Sequence, residues 1–193
     1  MGIEYELKFR ATGEKLQAIK AEYANDQQHF DMETVYYDTP SGALSARHYT
    51  LRRRMENRLS VCTLKTPAGT EGRHEIEIPC EKIENALEGF CAQGAPEDFA
   101  SLVAEGLIPV CGAKFHRIAI PVSYGECLLE LALDEGLLSG SGKEIPLCEV
   151  EVELKSGSGE GADLFALELA NRYHLIPETK SKFRRALALY KGE

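Results

Sequence analysis

Tryptophan is absent from the 193 residues, and no apolar run is long enough to cross a bilayer. The start shows no signal-peptide pattern, so the expectation is a cytoplasmic protein with no membrane role. Cysteine pairs of the Cys-x-x-Cys kind are missing among Cys62, Cys80, Cys91, Cys111, Cys127 and Cys148, and the five histidines show no His-x-x-x-His spacing. That argues against a zinc site or a disulfide frame and for free, mostly buried thiols in a reducing compartment. His74 and His116 read as structural or surface groups. Positive charge is scarce as well. The chain has 22 Lys and Arg against 31 Asp and Glu, a net charge of −9, which excludes a nucleic-acid surface held by general electrostatics. No interior linker and no solenoid repeat is present, and 44% hydrophobic content supports one sizeable core. Residues 1–193 are therefore expected to form a single domain.

What is present is charge in alternation. Ile3, Tyr5, Leu7 and Phe9 alternate with Glu4, Glu6 and Lys8, the period of a strand with one polar face. Arg73, Glu75 and Glu77 share one strand face, Glu149, Glu151, Glu153 and Lys155 another, and Arg52 and Arg54 stand at the same spacing. Like charges facing each other across paired strands destabilise a sheet, so rows of Glu beside Glu make sense around a cation. Hard divalent ions take carboxylate oxygens and bridge to phosphates, while Arg and Lys hold the phosphates themselves.

Between these teeth the pattern predicts a helix over 13–28 and a turn at Asp38-Thr39-Pro40-Ser41-Gly42. A hairpin of Leu59–Lys65 and Arg73–Pro79 follows, with Lys65 opposite Cys62 and Leu64. Two amphipathic helices come next, one carrying Ile83, Leu87 and Phe90, the other Phe99, Leu102 and Val103. Strands then resume at 115–121 and 127–134. Glu130 and Asp134 share a face in the second, costly in an apolar run unless paired or bound to metal. A Gly/Ser-rich loop is expected over 137–146, then a helix with Leu164, Leu167 and Ala170 inward. A last basic helix is expected to start near Ser181, with Lys180 and Lys182 either reaching an anion or lying on the surface.

About eight mostly antiparallel strands, polar on one face and aliphatic on the other, suggest a closed α+β barrel with a polar lumen and helices packed outside. A lumen lined by both Glu and Arg/Lys is a poor core and a good site for a metal–polyphosphate complex. Its chemistry would be phosphoryl transfer to water.

The ordered set Glu4-Tyr5-Glu6-Leu7-Lys8, Tyr37-Asp38-Thr39, Leu51-Arg52-Arg53-Arg54, Thr63-Leu64-Lys65, Arg73-His74-Glu75-Ile76-Glu77, Arg117, Asp134, Glu149-Val150-Glu151-Val152-Glu153 and Ser181-Lys182 resembles the CYTH family, also called triphosphate tunnel metalloenzymes. The resemblance implies an eight-stranded antiparallel tunnel that hydrolyses or cyclises triphosphates with Mg²⁺ or Mn²⁺. By it, Glu4, Glu6, Asp134, Glu149, Glu151 and Glu153 hold metal, with Glu75 and Glu77 completing the acidic side. Lys8, Arg52, Arg54, Lys65, Arg73, Arg117 and Lys182 grip the triphosphate. Glu6, Glu151 and Lys8 stand closest to the chemistry, Lys8 either holding phosphate or orienting the attacking water. Arg53 points outward by alternation.

The segments 148–154 and 183–187 are most similar to bacterial inorganic triphosphatases, which often carry a second, helical, histidine-rich domain after the tunnel. This chain ends at Glu193, where that domain would begin, so a tunnel domain alone is expected. Hydrolysis of inorganic tripolyphosphate is the leading expectation. A class IV adenylate cyclase needs a base-recognition pocket that no residue here announces. A thiamine triphosphatase wants an aromatic clamp, and tryptophan is absent. A non-catalytic polyphosphate-binding module would dispense with the acidic positions, and all are present. The expected partner is a small-molecule triphosphate, with a homodimer possible.

Overall fold

The computed structural model describes residues 5–68 and 72–193. Glu4, expected among the metal ligands, lies outside the described residues. Strand β1 (Glu6–Arg10) leads to helix α1 (Gly13–Glu22), β2 (Gln28–Asp38), the short α2 (Ala43–Ala46), β3 (Thr50–Glu56), β4 (Leu59–Pro67) and β5 (Arg73–Pro79). Helices α3 (Ile83–Ala92) and α4 (Phe99–Val103) precede the long β6 (Ile108–Tyr124), β7 (Cys127–Gly140) and β8 (Lys143–Ser156). Helix α5 (Gly159–Tyr173), a two-residue β9 (Ile176–Pro177) and α6 (Lys182–Lys191) complete the chain.

All the strands belong to one antiparallel sheet ordered β5-β4-β3-β2-β6-β7-β8-β1-β9. Its eight long strands match the expected tunnel, and β9 is a small addition at the β1 edge. The two ends of the order, β5 and β9, are not laced together among the described residues. The curl is evident instead from one cavity of about 710 Å³, lined by Glu6 and Lys8 of β1 and by Arg73, Glu75 and Glu77 of β5.

Alternation sorts the side chains between the two faces. On the convex face Phe9, Leu131, Leu133, Val150 and Val152 pack against Leu16 and Ile19 of α1 and Phe165 and Leu169 of α5. Leu51, Cys62 and Leu64 pack against Ile83, Phe90 and Phe99 of α3 and α4. Each such aliphatic or aromatic side chain contributes roughly 1.5–3 kcal/mol when fully buried. All six cysteines are free, as the spacing implied, but only Cys62, Cys111 and Cys127 are buried, while Cys80 and Cys148 are half-buried and Cys91 is exposed.

Four expectations change. Helix α1 stops at Glu22 rather than near Gln28, because the Gln27 side chain donates to the Lys20 and Tyr23 carbonyls and caps the last turn. The 137–146 stretch is not a loop. Strands β7 and β8 continue through it to a tight hairpin whose central residues, Ser141 (φ 52) and Gly142 (φ 74), are both left-handed. Helix α5 buries Ala162, Phe165, Ala166 and Leu169 and leaves Leu164 and Leu167 exposed, since Phe165 is seated edge-on against Tyr23 and Tyr124. The fourth change matters most. Not every helix lies outside, for α6 packs on the concave face. There Phe183 and Ala186 meet the lumen-facing Met32, Tyr36, Ala113, Phe115, Leu138 and Leu147. The lumen is thus apolar where α6 fills it and charged where it does not.

No helix among the described residues is long and apolar enough to cross a membrane. The closest seam of α6 is at Gly140, where a Cβ would stand 2.6 Å from the Ala186 carbonyl and 2.7 Å from the Tyr190 amide. Gly140→Ala is therefore expected to push α6 outward and to cost about 1–3 kcal/mol in denaturant unfolding. Unchanged stability would contradict this seating of the helix.

Candidate functional site

The charged part of the lumen has two facing walls. Strands β3, β4 and β5 contribute the basic one. Arg52 and Arg54 project inward from alternate positions of β3, while Arg53 turns outward and donates to Ser60 Oγ, as alternation requires. Lys65 and Arg73 join them from the neighbouring strands. Arg73 is held in place through Nη2, which donates to the carbonyls of His48 and Lys65 and to Thr50 Oγ1.

Glu75 and Glu77 belong to this wall, not to the acidic one. Glu75 lies 3.5 Å from Arg52 and 3.0 Å from Lys65, and Glu77 accepts a 3.1 Å bond from Thr63. Arg54 pairs with Glu56 at 2.9 Å. Two donors remain over. The Nε atoms of Arg52 and Arg54 are buried with no hydrogen-bond partner. Burial, followed by the proximity of other guanidiniums, weakens proton binding by Arg54, and burial does the same to Arg73. Crowded, partly orphaned cations of this kind are what an anionic ligand would relieve.

Strands β1, β7 and β8 supply the other wall. Glu6 faces Glu153, and Lys8 faces Glu151, across the β1–β8 ladder. Lys8 Nζ lies 3.0 Å from Glu6. Glu130 stands opposite Glu153 in the β7–β8 ladder, and Lys155 bridges the two at 3.6 and 2.8 Å. Such rows of like charge persist only because lysines stand between them.

Deeper lies the third feature. Asp134 and Glu149 are fully buried, and with Glu151 they offer oxygen atoms all within 4.8 Å of one another. Lys182, from the first turn of α6, places its ammonium 2.9 Å from Asp134 and 2.5 Å from Glu151, and also donates to Glu149. Arg117 binds Asp134 through Nε and Nη2, both at 2.7 Å, and reaches Glu151. Arg185, one turn beyond Lys182, donates to Glu149. The Phe115 ring lies beneath Arg117 and Lys182, 5.7 and 5.4 Å from its centroid. Three carboxylates thus meet three cations. Arg117, Glu151 and Lys182 face the cavity, with Asp134 and Glu149 behind them.

Among the described residues the structure brings together Glu6, Lys8, Asp134, Glu149, Glu151, Glu153, Arg117 and Lys182 on one side and Arg52, Arg54, Lys65, Arg73, Glu75 and Glu77 on the other. Sequence reasoning placed Glu130 and Lys155 on charged strand faces without giving them a role in the site, and it did not single out Glu56 or Arg185. Alternation held the signal for Lys155, two residues past Glu153. Helical spacing held it for Arg185, three past Lys182.

The two neighbouring glutamates titrate apart. Burial pushes the Glu149 carboxyl up to about 7, against the pull of Lys182. Burial acts on Glu151 in the same direction, but Lys182 and Arg117 override it and hold that carboxyl below the usual range. The two share Lys182 and behave as one unit, in which the first proton settles on the more deeply buried Glu149. The folded protein keeps a proton at Glu149 that the unfolded chain has released above about 4.5. Its contribution is therefore full below that pH and is lost as the pH rises through about 7. In chelator-treated protein, wild-type stability relative to Glu149→Gln should fall on the order of 1–3 kcal/mol across this window. Parallel pH profiles from urea unfolding would contradict the assignment.

Comparison with known proteins agrees with this architecture. The model of the CYTH domain matches residues 2–187. An inorganic triphosphatase of Haemophilus influenzae is 30% identical over 168 residues, covering 85% of this chain and 47% of that protein. The chain therefore spans about half the length of that relative. A protein of Pyrococcus horikoshii OT3 shares the fold at TM-score 0.63, with 21% identity over 97% of this chain and 99% of its own. So does a provisionally named adenylate cyclase of Bacillus halodurans, at TM-score 0.61, with 21% identity over 95% of this chain and 96% of its own. With a matched span that takes in both walls of the lumen and Lys182 of α6, the chain belongs to the CYTH domain family.

Proposed function

We propose that the protein hydrolyses triphosphates within the lumen, inorganic tripolyphosphate foremost, releasing pyrophosphate and phosphate with the help of Mg²⁺ or Mn²⁺. The observation that carries this reading is the facing of a basic wall, with two orphaned guanidinium nitrogens, by a compact set of buried carboxylates. The triphosphatase name of the Haemophilus influenzae relative supports it.

The donor set fits a hard divalent ion, being all oxygen and within reach of a single centre. Asp134, Glu149 and Glu151 would hold it, with Glu6 and Glu153 beside them across the β1–β8 ladder. The ion, when bound, neutralises phosphate charge and polarises the phosphorus centre. Lys182 now occupies the middle of the triad, so the same ammonium is available to phosphate once a stronger cation takes its place.

Arg52, Arg54, Lys65 and Arg73 bind the phosphate chain from the opposite wall and fix its direction. They favour the transition state insofar as charge moves toward the bridging and terminal oxygens they face. Glu75 holds Arg52 and Lys65 in register for that contact. Lys8, beside Glu6 and opposite Glu151, is placed to orient a water molecule or to hold the terminal phosphate. We take residues 1–193 to act as one tunnel domain in the cytoplasm. Its partner is a small-molecule triphosphate and not nucleic acid, and pairing into a homodimer is compatible with this role.

Phosphate release from tripolyphosphate, ATP and thiamine triphosphate, each with Mg²⁺ or Mn²⁺, tests the proposal. Metal-dependent release from tripolyphosphate, reduced at least ~100-fold in Glu151→Ala, is expected. Cyclic AMP from ATP with little phosphate release would replace it with a cyclase, and tight binding without turnover with a binding module. Arg52→Ala and Arg54→Ala should each raise KM roughly 10- to 100-fold, the worth of a charge-assisted hydrogen bond.

A further inference from the structure

On the outside of the tunnel wall the β2–β6 ladder carries a second group of metal-ligating side chains, unconnected with the lumen carboxylates. Phe30 and Arg117 face the lumen, so His29, Asp31 and His116 face outward by alternation. Asp31 is the ladder partner of His116, and His29 stands diagonally from it. Asp31 Oδ1 accepts from His116 Nδ1 at 3.0 Å. This fixes the proton on Nδ1 and turns the Nε2 lone pair toward His29, whose Nδ1 lies 3.0 Å away. Glu135 of β7 stands opposite His116, and Lys114 of β6 is matched by Glu33.

We propose that His29 and His116 form a binding site for a borderline divalent ion of the Zn²⁺ class, distinct from the hard-ion site of the lumen. Two imidazole nitrogens on one tetrahedral ion with bonds of about 2.0–2.1 Å lie about 3.3 Å apart, close to the separation already present. A carboxylate behind the outer nitrogen of one ligand is the usual means of orienting a metal-binding histidine, and Asp31 supplies it. Both imidazoles project from a continuous ladder, so little order has to be created on binding. Asp31 and Glu135 add negative charge on either side of His116. Water completes the coordination, since the side chains of both His116 and Asp31 are accessible.

The geometry also dictates a proton shift. With Nδ1 of His116 protonated, the hydrogen between the rings belongs to His29 Nδ1. Binding of an ion to His116 Nε2 and His29 Nδ1 moves that hydrogen to His29 Nε2, with no net proton gained or lost at a pH where both rings are neutral. A ligand pair can therefore be told from a nearby charge by the tautomer of one residue.

The test uses ¹⁵N-labelled full chain at pH 7.5 with Mg²⁺ in large excess, so that hard-ion positions are filled while ZnCl₂ is added. Imidazole ¹H–¹⁵N correlations are expected to show His29 and His116 moving together and saturating at one equivalent. His29 should pass from the Nδ1–H to the Nε2–H form. Apparent affinity should fall at least tenfold in His29→Ala and in His116→Ala and remain unchanged in His74→Ala. Circular dichroism and retained phosphate release report that the variants are folded. Zn²⁺ binding undiminished in both variants, shifts confined to other groups, or no saturable binding would each overturn the proposal.

Discussion

Three buried carboxylates set the terms for the rest of the structure. Asp134, Glu149 and Glu151 sit on adjacent strands with almost no access to water. Left alone, their mutual repulsion and desolvation would exceed what their strands gain from neighbouring aliphatic contacts. Lys182, Arg117 and Arg185 neutralise them. Two of these cations are carried by α6, which explains why the last helix enters the tunnel instead of packing outside with the others. Its apolar face then finds the apolar part of the lumen, from Tyr36 to Leu147. Electrostatic need and hydrophobic burial fix one and the same position for the helix.

That arrangement divides the lumen along its length. Where α6 lies, the interior resembles an ordinary core, with Tyr36 and Phe183 ring to ring at 4.9 Å. Beyond the helix N-terminus the interior is an open charged chamber. Ion pairs there are mostly local, Lys8 with Glu6, Lys155 with Glu153, Lys65 with Glu75, so each wall is partly self-neutralised. Pairs of this kind contribute little to stability. Their value lies in holding long side chains extended into the chamber, at positions where a charged ligand can exchange one partner for another. The site is preorganised by its own counter-ions.

The alternation of charged and aliphatic residues was legible from the start, because a strand imposes a period of two whatever its neighbours do. It was enough to assign the shared face of Arg52 and Arg54, the side taken by Lys65 and the outward direction of Arg53, whereas Arg117 was picked out only by the family resemblance. It could not tell which wall a tooth would join. Glu75 and Glu77 read like the other Glu-x-Glu pairs, yet strand order puts them beside Arg52 and Thr63, away from Glu6 and Glu153. The face of α5 was misread for a related reason. Leu164 and Leu167 satisfy a helical stripe as well as Phe165 and Leu169 do, and the choice was made by Tyr23 and Tyr124 on other elements.

By itself, then, the chain determined most of its strands and the alternation of charged and aliphatic residues that makes part of the lumen polar, since these depend on residues one or two apart. The continuation of β7 and β8 through 137–146 and the apolar part of the lumen under α6 were not legible. Tertiary structure alone decided the order of the strands around the tunnel, the entry of α6 and the meeting of Lys182 and Arg185 with Asp134, Glu149 and Glu151. Those contacts join residues more than thirty positions apart. No local period records them, because they arise from the balance between burying charge and pairing it once the sheet has curled.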